Sequence, residues 1–511
     1  MRNRILLNSV TNVGNHFFRL FVGIFLTPFL ISRLGNDVYG LMPLVNSITA
    51  YIALISVGIQ SAVGRYVTMS IAQEDYQEAN RYLNTGFFMI GGLVLLAVVP
   101  FLLIVFYFPS LFNVPPGLEV KSQWVMFCVG LNFIINILFS PFTVAFWAKQ
   151  RFDLENLISV IGQMVHVVFI VMLFLVLTED ILVVAVAVLF SGVLSTFLRV
   201  VVSKRLYRQL SISYRFFDKE KVARLMSFGG WMFITSVSVI VLINTDYIII
   251  NNLIDSTSVT DYSLAKRWED MVRSVITSAF GVLVPVATHL GVAGDYSQLV
   301  KICLKGTRIT LALTLLPTFL LAIFSRELLV TWVGPGYEHL VPLFCIALLP
   351  MFFEMGSLPG GVILRGLGQV KVPAMVSLGV AVTNIFLSIY FIRIGWGIAG
   401  VAFATVLVLF VKNTLFVTWY TSHILSCSVV TIYAEYFRPL CAAVPMVGLA
   451  LFLKYSFDCT GWPGLVLANI PCVLLFLIVV YYYVLDSDDR QGVCGMMVAL
   501  RERAIVRALS K

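Results

Sequence analysis

The chain has 511 residues, of which 59% are apolar and only 12% are Asp, Glu, Lys or Arg, and its mean hydropathy is +0.95. So little charge could not wet the surface of a water-soluble globule, and it excludes disordered, nucleic-acid-binding and coiled-coil architectures. The formal net charge of +9 then reads as basic residues retained on one side of a membrane.

A spanning helix needs about 20 mostly apolar residues. In chain order, fourteen segments qualify: 8–31, 39–64, 84–108, 122–147, 156–177, 181–202, 229–251, 262–288, 303–325, 341–364, 373–394, 396–420, 437–457 and 464–485. The basic start M-R-N-R leads into a run of spanning length without a clear A-x-A site, so the first segment reads as a retained helix and not a cleaved signal. The eighth segment is the least apolar, because it opens on charges. Fourteen spans place both termini on one side. If that side is the cytoplasm, 26 of the 35 Lys and Arg fall there, including Lys412 and the dense set between 199 and 224, and only five fall outside. That bias is what retention of positive charge produces. The predicted fold is therefore an all-α membrane protein with about fourteen transmembrane helices and cytoplasmic termini.

The segments repeat. Asp75 and Tyr76 match Asp295 and Tyr296 at an offset of 220, Pro141 matches Pro359 and Ser159 matches Ser377 at 218, and Ala185 and Ala187 match Ala402 and Ala404 at 217. Six spans per unit is an even number, which implies a pseudo-two-fold along the membrane normal. The predicted organisation is a six-helix bundle over 1–202, a basic linker with an interfacial helix over 203–228, a second six-helix bundle over 229–420, helices thirteen and fourteen over 421–485, and a basic amphipathic tail over 486–511 facing anionic membrane lipid. Asp218 is placed to N-cap the linker helix.

Charges inside spans are costly and face a partner or water. In the eighth span, S-L-A-K-R-W-E-D-M-V-R puts Lys266, Glu269, Asp270 and Arg273 on one stripe, with Arg267 beside it. Either this stripe lines a wet cavity that meets an anionic substrate, or its acids and bases neutralise one another. Arg19 lies halfway along the first span with no acid at i±3 or i±4, and its guanidinium suits a phosphate oxyanion. Asp246 and Glu354 are isolated acids, able to bind a coupling proton or sodium ion or to pair with the basic residues; Glu269 and Asp270 are further candidates for ion coupling. Pro28, Pro141 and Pro359 are candidate kinks for gating. Asn132, Asn136, Gln163, His166 and Asn384 read as polar contacts between helices, and Gly356 and Gly360 as a close-packing pair.

Enzyme signals are poor. The five histidines have no metal spacing, the eight cysteines form no C-x-x-C, and there is no Walker A motif. G-L-G-Q-V-K at 366–371 reads as a turn, and D-S-D-D at 486–489 as an interfacial stop and not a glycosyltransferase motif. No cofactor is expected beyond coupling to H+ or Na+.

The opening N-V-G-N-H-F-F-R-L-F-V-G-I-F-L-T-P-F-L-I-S-R-L-G-N-D-V-Y-G-L and the N-T-D-Y-I-I-I-N-N of span seven, together with the six-plus-six-plus-two plan, resemble the polysaccharide transporter family of the MATE-like (MOP) superfamily, to which the Wzx-type oligosaccharide flippases belong. The resemblance covers essentially the whole chain. It implies a multi-pass flippase of the bacterial inner membrane that moves undecaprenyl-pyrophosphate-linked oligosaccharide outward for O-antigen, capsule or exopolysaccharide synthesis, with a polysaccharide polymerase and a chain-length regulator as further partners. It also implies that Arg19 and Arg273, with Lys266 and Arg267, engage the headgroup, and that Asp246 belongs to a span-seven motif in which Tyr247 replaces a basic residue of many relatives. A lipid II flippase, a MATE-type cation or drug antiporter and, in another class, a membrane glycosyltransferase or polymerase are the alternatives.

Overall fold

The computed structural model describes residues 2–149, 151–207, 209–280, 283–487 and 489–491; the tail expected to be amphipathic, from 494 onward, lies outside the described residues. Among the described residues the chain is helical and has no strand. Its long helices are α1 (Arg2–Leu34), α2 (Leu41–Ala72), α3 (Tyr76–Phe106), α4 (Glu119–Leu138), α5 (Phe152–Val176), α6 (Ile181–Leu206), α7 (Lys219–Leu253), α8 (Ser256–Phe280), α9 (Leu283–Ala293), α10 (Tyr296–Ile323), α11 (Val341–Gly366), α12 (Lys371–Arg393), α13 (Gly397–Leu425), α14 (Val429–Ser456) and α15 (Gly461–Val484).

Twelve of the described helices are long and apolar enough to cross a membrane, and thirteen if the bent pair 36–54 and 56–71 is one span. The difference from fourteen lies in α8. This helix is 25 residues long and carries six charged side chains, so it is long enough to span but not apolar enough to do so against lipid. A second correction concerns Lys412. It belongs to no inner loop but sits inside α13, in a π-helical segment from Phe410 to Val417.

Aspartates open several helices. Asp75, Asp180, Asp218 and Asp295 each accept a hydrogen bond from a backbone amide of the first turn, at 2.9, 3.0, 2.9 and 3.0 Å. Such caps satisfy amides that the helix itself leaves unpaired, and each contributes about 0.5–2 kcal/mol. Asp218 caps the helix expected of it, but that helix does not stop at the interface: α7 runs 35 residues from Lys219 to Leu253.

By contact the chain divides into two compact units, 1–264 with 370–408, and 265–369 with 409–511. These units describe packing, whereas the six-plus-six repeat is a reading of the sequence, and neither bears on the other. In the first unit α7 packs on α2 and α12, α2 on α3, α4 on α6, and α5 on both α6 and α1. In the second, α10 packs on α11 and α14, α9 on α11, and α14 on α15. Gly356 and Gly360 permit close approach, as their spacing suggests. A Cβ at 360 would lie 2.7 Å from the Thr421 hydroxyl, and one at 356 would overlap the Tyr436 hydroxyl.

The linker is not loose. Asn80 Nδ2 donates to Gln209 O at 2.8 Å while its Oδ1 accepts from Ser211 N at 2.9 Å. Asn84 repeats the pattern one turn on, donating to Ser211 O at 2.8 Å and accepting from Ser213 N at 2.7 Å. Thr85 accepts from Asp218 N at 3.0 Å. Carboxamides offer a donor and an acceptor side by side, so α3 reads the extended linker backbone as a neighbouring strand would. Lys221 pairs with Glu78 and lies over the Tyr82 ring at 4.9 Å, and the Glu78 carboxylate holds its ammonium pKa above the ordinary lysine value.

Candidate functional site

In the second unit α8 and α11 meet over an apolar floor of Ile276, Phe280, Met351 and Met355, two i,i+4 pairs facing one another. Above that floor Arg273 Nη1 reaches Glu354 Oε2 at 3.0 Å, and its other terminal nitrogen pairs with Glu269. Lys266 Nζ lies 3.9 Å from Glu269 Oε2. Lys266 and Glu269 are buried, at 5% and 1% exposure. Burial of such charges is tolerated because each meets its opposite. Asp270 stands within electrostatic reach of Lys266 and Arg273, and Lys412 within reach of Glu354 and Arg273. The structure thus brings together Lys266, Glu269, Arg273 and Glu354 as a chain of ion pairs, with Asp270 and Lys412 beside it. Arg267 is exposed and stands within electrostatic reach of Asp270.

Arg19 differs. It is exposed, and among the described residues no ion pair or hydrogen bond is made to it. At about 100° per residue, Arg19 falls on the side of α1 opposite the exposed phenylalanines 17, 21 and 25. A phenylalanine stripe suits hydrocarbon and a lone guanidinium does not, so the two faces of α1 answer to different surroundings. Pro28 lies inside the same helix, nine residues on.

In the first unit Asp246 is fully buried on α7. Its Oδ2 accepts from Tyr262 Oη at 2.7 Å and from Thr405 Oγ1 at 3.1 Å, and its Oδ1 from Asn384 Nδ2 at 3.0 Å. Thr405 also lies 3.3 Å from the Val401 carbonyl and 3.4 Å from Asn384 Oδ1. The hydroxyl of Ser388, one turn from Asn384 on α12, is buried without a hydrogen bond. The site is rich in oxygen and holds a single carboxylate. Such a donor set suits a proton or a hard monovalent cation. Among the described residues no three His, Cys, Asp or Glu side chains converge as a metal site.

Of the prolines, Pro359 lies within α11. Pro141 opens a 3-10 turn, Ser140–Thr143, so the span expected over 122–147 is broken there. Asn136 serves as a contact between helices: its Oδ1 accepts from Thr196 at 3.1 Å and from Arg199 at 3.2 Å, and Arg199 pairs with Glu155 at 2.8 Å, whereas Asn132 Oδ1 accepts from Asn136 Nδ2 at 2.9 Å within the same helix.

Sequence reasoning missed Tyr262 and Thr405 as partners of Asp246, because neither carries a charge and Thr405 comes from a distant span. It also missed the role of D-S-D-D. Asp486 binds Arg308 at 2.7 Å and Arg438 at 3.0 Å, Arg308 binds Glu435 at 2.8 Å, and Asp489 pairs with Lys305. These acids tie the end of α15 to α10 and α14.

Such an arrangement, apolar helices of spanning length with ionised groups held in pairs between them, is that of a multi-pass membrane protein. Residues 14–290 match the profile of the family described as "Polysaccharide biosynthesis protein", and the chain belongs to that family. It is 21% identical over 95% of its length to an uncharacterised membrane protein, EpsK, of Bacillus subtilis, of which it covers 96%. A Shigella flexneri protein named for O-antigen transport is 22% identical, with 78% of this chain and 93% of that protein covered. The fold is that of the MOP superfamily. A structure of the lipid II flippase MurJ, inward closed, superposes with a TM-score of 0.69 at 14% identity over 93% of this chain and 98% of that one. An inward-facing multidrug resistance MATE transporter gives 0.69 at 14% identity over 81% and 94%.

Proposed function

We propose that the protein is a flippase of the bacterial inner membrane that carries an undecaprenyl-pyrophosphate-linked oligosaccharide from the inner to the outer leaflet, for O-antigen, capsule or exopolysaccharide synthesis. A charged headgroup cannot cross hydrocarbon unaided, while its lipid tail stays in the bilayer. The observation that carries the reading is the exposed Arg19, free of ion pairs among the described residues and opposite a phenylalanine face, in a chain of the polysaccharide biosynthesis family. Its guanidinium grips the diphosphate. In the second unit Arg273 exchanges Glu354 for an incoming anion, with Lys266 and Arg267 beside it. Alternating access is driven by H+ or Na+ held at Asp246, with Glu354, Glu269 and Asp270 as further coupling acids, and the chain bends at Pro28, Pro141 and Pro359. A polysaccharide polymerase and a chain-length regulator receive the product.

Carriage of a cation or drug, as in a MATE antiporter, is the weaker reading. The MATE structure covers 81% of this chain and the MurJ structure 93%, so the fold extends beyond the shorter plan. Replacing Arg19 by Ala abolishes glycan export while the protein remains in the membrane; unchanged export overturns the assignment.

A further inference from the structure

One to two turns before Arg19, α1 turns a group of carboxamides toward α5. Asn15 Nδ2 donates to Asn156 Oδ1 at 3.0 Å, and Asn156 Nδ2 donates to Asn12 Oδ1 and, at 3.3 Å, to Thr11 Oγ1. Asn156 is thereby satisfied, but the cluster is not. Asn15 Oδ1 is buried and meets no donor. Asn12 is exposed. A group that served only to join two helices would close its own hydrogen bonds, since an open one costs free energy. This one keeps an acceptor in reserve beside an exposed carboxamide.

The unused capacity is neutral. Among the described residues no charged side chain takes part in the cluster, so it is not built for an anion. Adjacent carboxamides present a donor beside an acceptor, which matches the neighbouring hydroxyls of a sugar ring, each of them donor and acceptor at once. Position supports the same ligand. Asn12 lies on the Arg19 side of α1, away from the phenylalanines. Four to seven residues along the helix is roughly 6–10 Å, the reach from a diphosphate to its first one or two sugar rings.

We propose that Asn12, Asn15 and Asn156 form a subsite for the proximal neutral sugar of the lipid-linked glycan, next to the diphosphate taken by Arg19. This rests on the flippase reading given above. The full-length protein in lipid nanodiscs is tested against two probes: bare undecaprenyl diphosphate, and undecaprenyl-diphosphate oligosaccharide extracted from the native cells. Asn12→Ala and Asn156→Ser are expected to weaken the glycosylated lipid about tenfold and leave the bare lipid within about twofold, as loss of one or two hydrogen bonds does. Arg19→Ala should weaken both. The subsite is overturned if the asparagine variants weaken neither probe, or weaken both alike, or if the unaltered protein binds the two lipids equally. An Arg19→Ala protein that binds both lipids normally overturns the flippase reading instead, and the asparagine comparison still judges the subsite.

Discussion

Asp75 and Asp295, 220 residues apart, cap α3 and α10 with the same backbone conformation: φ and ψ are −84° and 80° at one, −85° and 70° at the other. Each accepts from the amide three residues on. The residue before each is left-handed, at φ 61° for Glu74 and 72° for Gly294. Glycine adopts that conformation freely and glutamate does not. Nothing lies within 4 Å of a Cβ at 294, so backbone strain alone decides the outcome there. Gly294→Ala is expected to destabilise by about 1 kcal/mol, and Glu74→Gly to be neutral or slightly stabilising. Thermal unfolding of the detergent-solubilised protein checks both.

The asparagine ladder on α3 makes the linker part of the first unit. Asn84→Ala leaves Ser211 O and Ser213 N without partners and should cost about 1–3 kcal/mol. The cut sites at Arg215 and Lys219 then open, and limited trypsin digestion should nick the variant well before the unaltered protein. Equal rates of cleavage would show that the strap contributes nothing.

Acid should loosen the end of α15. Burial works to raise the pKa of Asp486, but the hydrogen bonds and charges of Arg308 and Arg438 prevail and hold it below the ordinary carboxylate value. A lowered folded pKa stabilises above the unfolded value of about 4, and the benefit fades as pH falls through the folded one. The difference in melting temperature between the unaltered protein and Asp486→Asn is therefore expected at neutral pH and should vanish in strong acid. A difference that persists there would place the effect elsewhere.

Asp246 is expected to carry the ion dependence of transport. Asp246→Asn keeps the volume and a hydrogen-bonding group but removes the charge, so export should lose its response to an imposed H+ or Na+ gradient. Tyr262→Phe removes one donor at 2.7 Å and should shift the ion concentration for half-maximal rate while leaving the response in place. Flux into proteoliposomes under each gradient distinguishes the two variants.

Much of the fold was legible because lipid imposes a simple grammar. Runs of apolar residues of spanning length recur as helices, and the cap at Asp218 was visible as punctuation. Composition was least informative at α8, where charged pairs replace the apolar surface by which a span is recognised. The candidate site was legible only in its ionised members. Glu354 and Arg273 stood out singly, yet their 3.0 Å contact depends on how α8 and α11 pack. Tyr262, Asn384 and Thr405 converge on Asp246 from three helices, and polar residues of this kind are common in helix contacts. Lys412 was misplaced because its neighbours read equally well as a loop margin. D-S-D-D looked like a boundary because acids often end a span; that its carboxylates reach Arg308 and Arg438 follows only from the turn after Val484.

The wide turn in α13 has a consequence for sequence length. Where hydrogen bonds skip to the fifth residue, some carbonyls need other donors. Here Thr418 Oγ1 serves Asn413 O at 3.1 Å and Tyr433 Oη serves Thr414 O at 2.6 Å. Removing one residue between 410 and 417 would close the wide turn into ordinary α-helix and leave the helix beyond it close to its present facing, because the wide turn takes up about one residue more than the turn it replaces. Thr421 would then keep its seat against Gly360. The segment is therefore expected to tolerate loss of a residue better than the regular helix on either side of it.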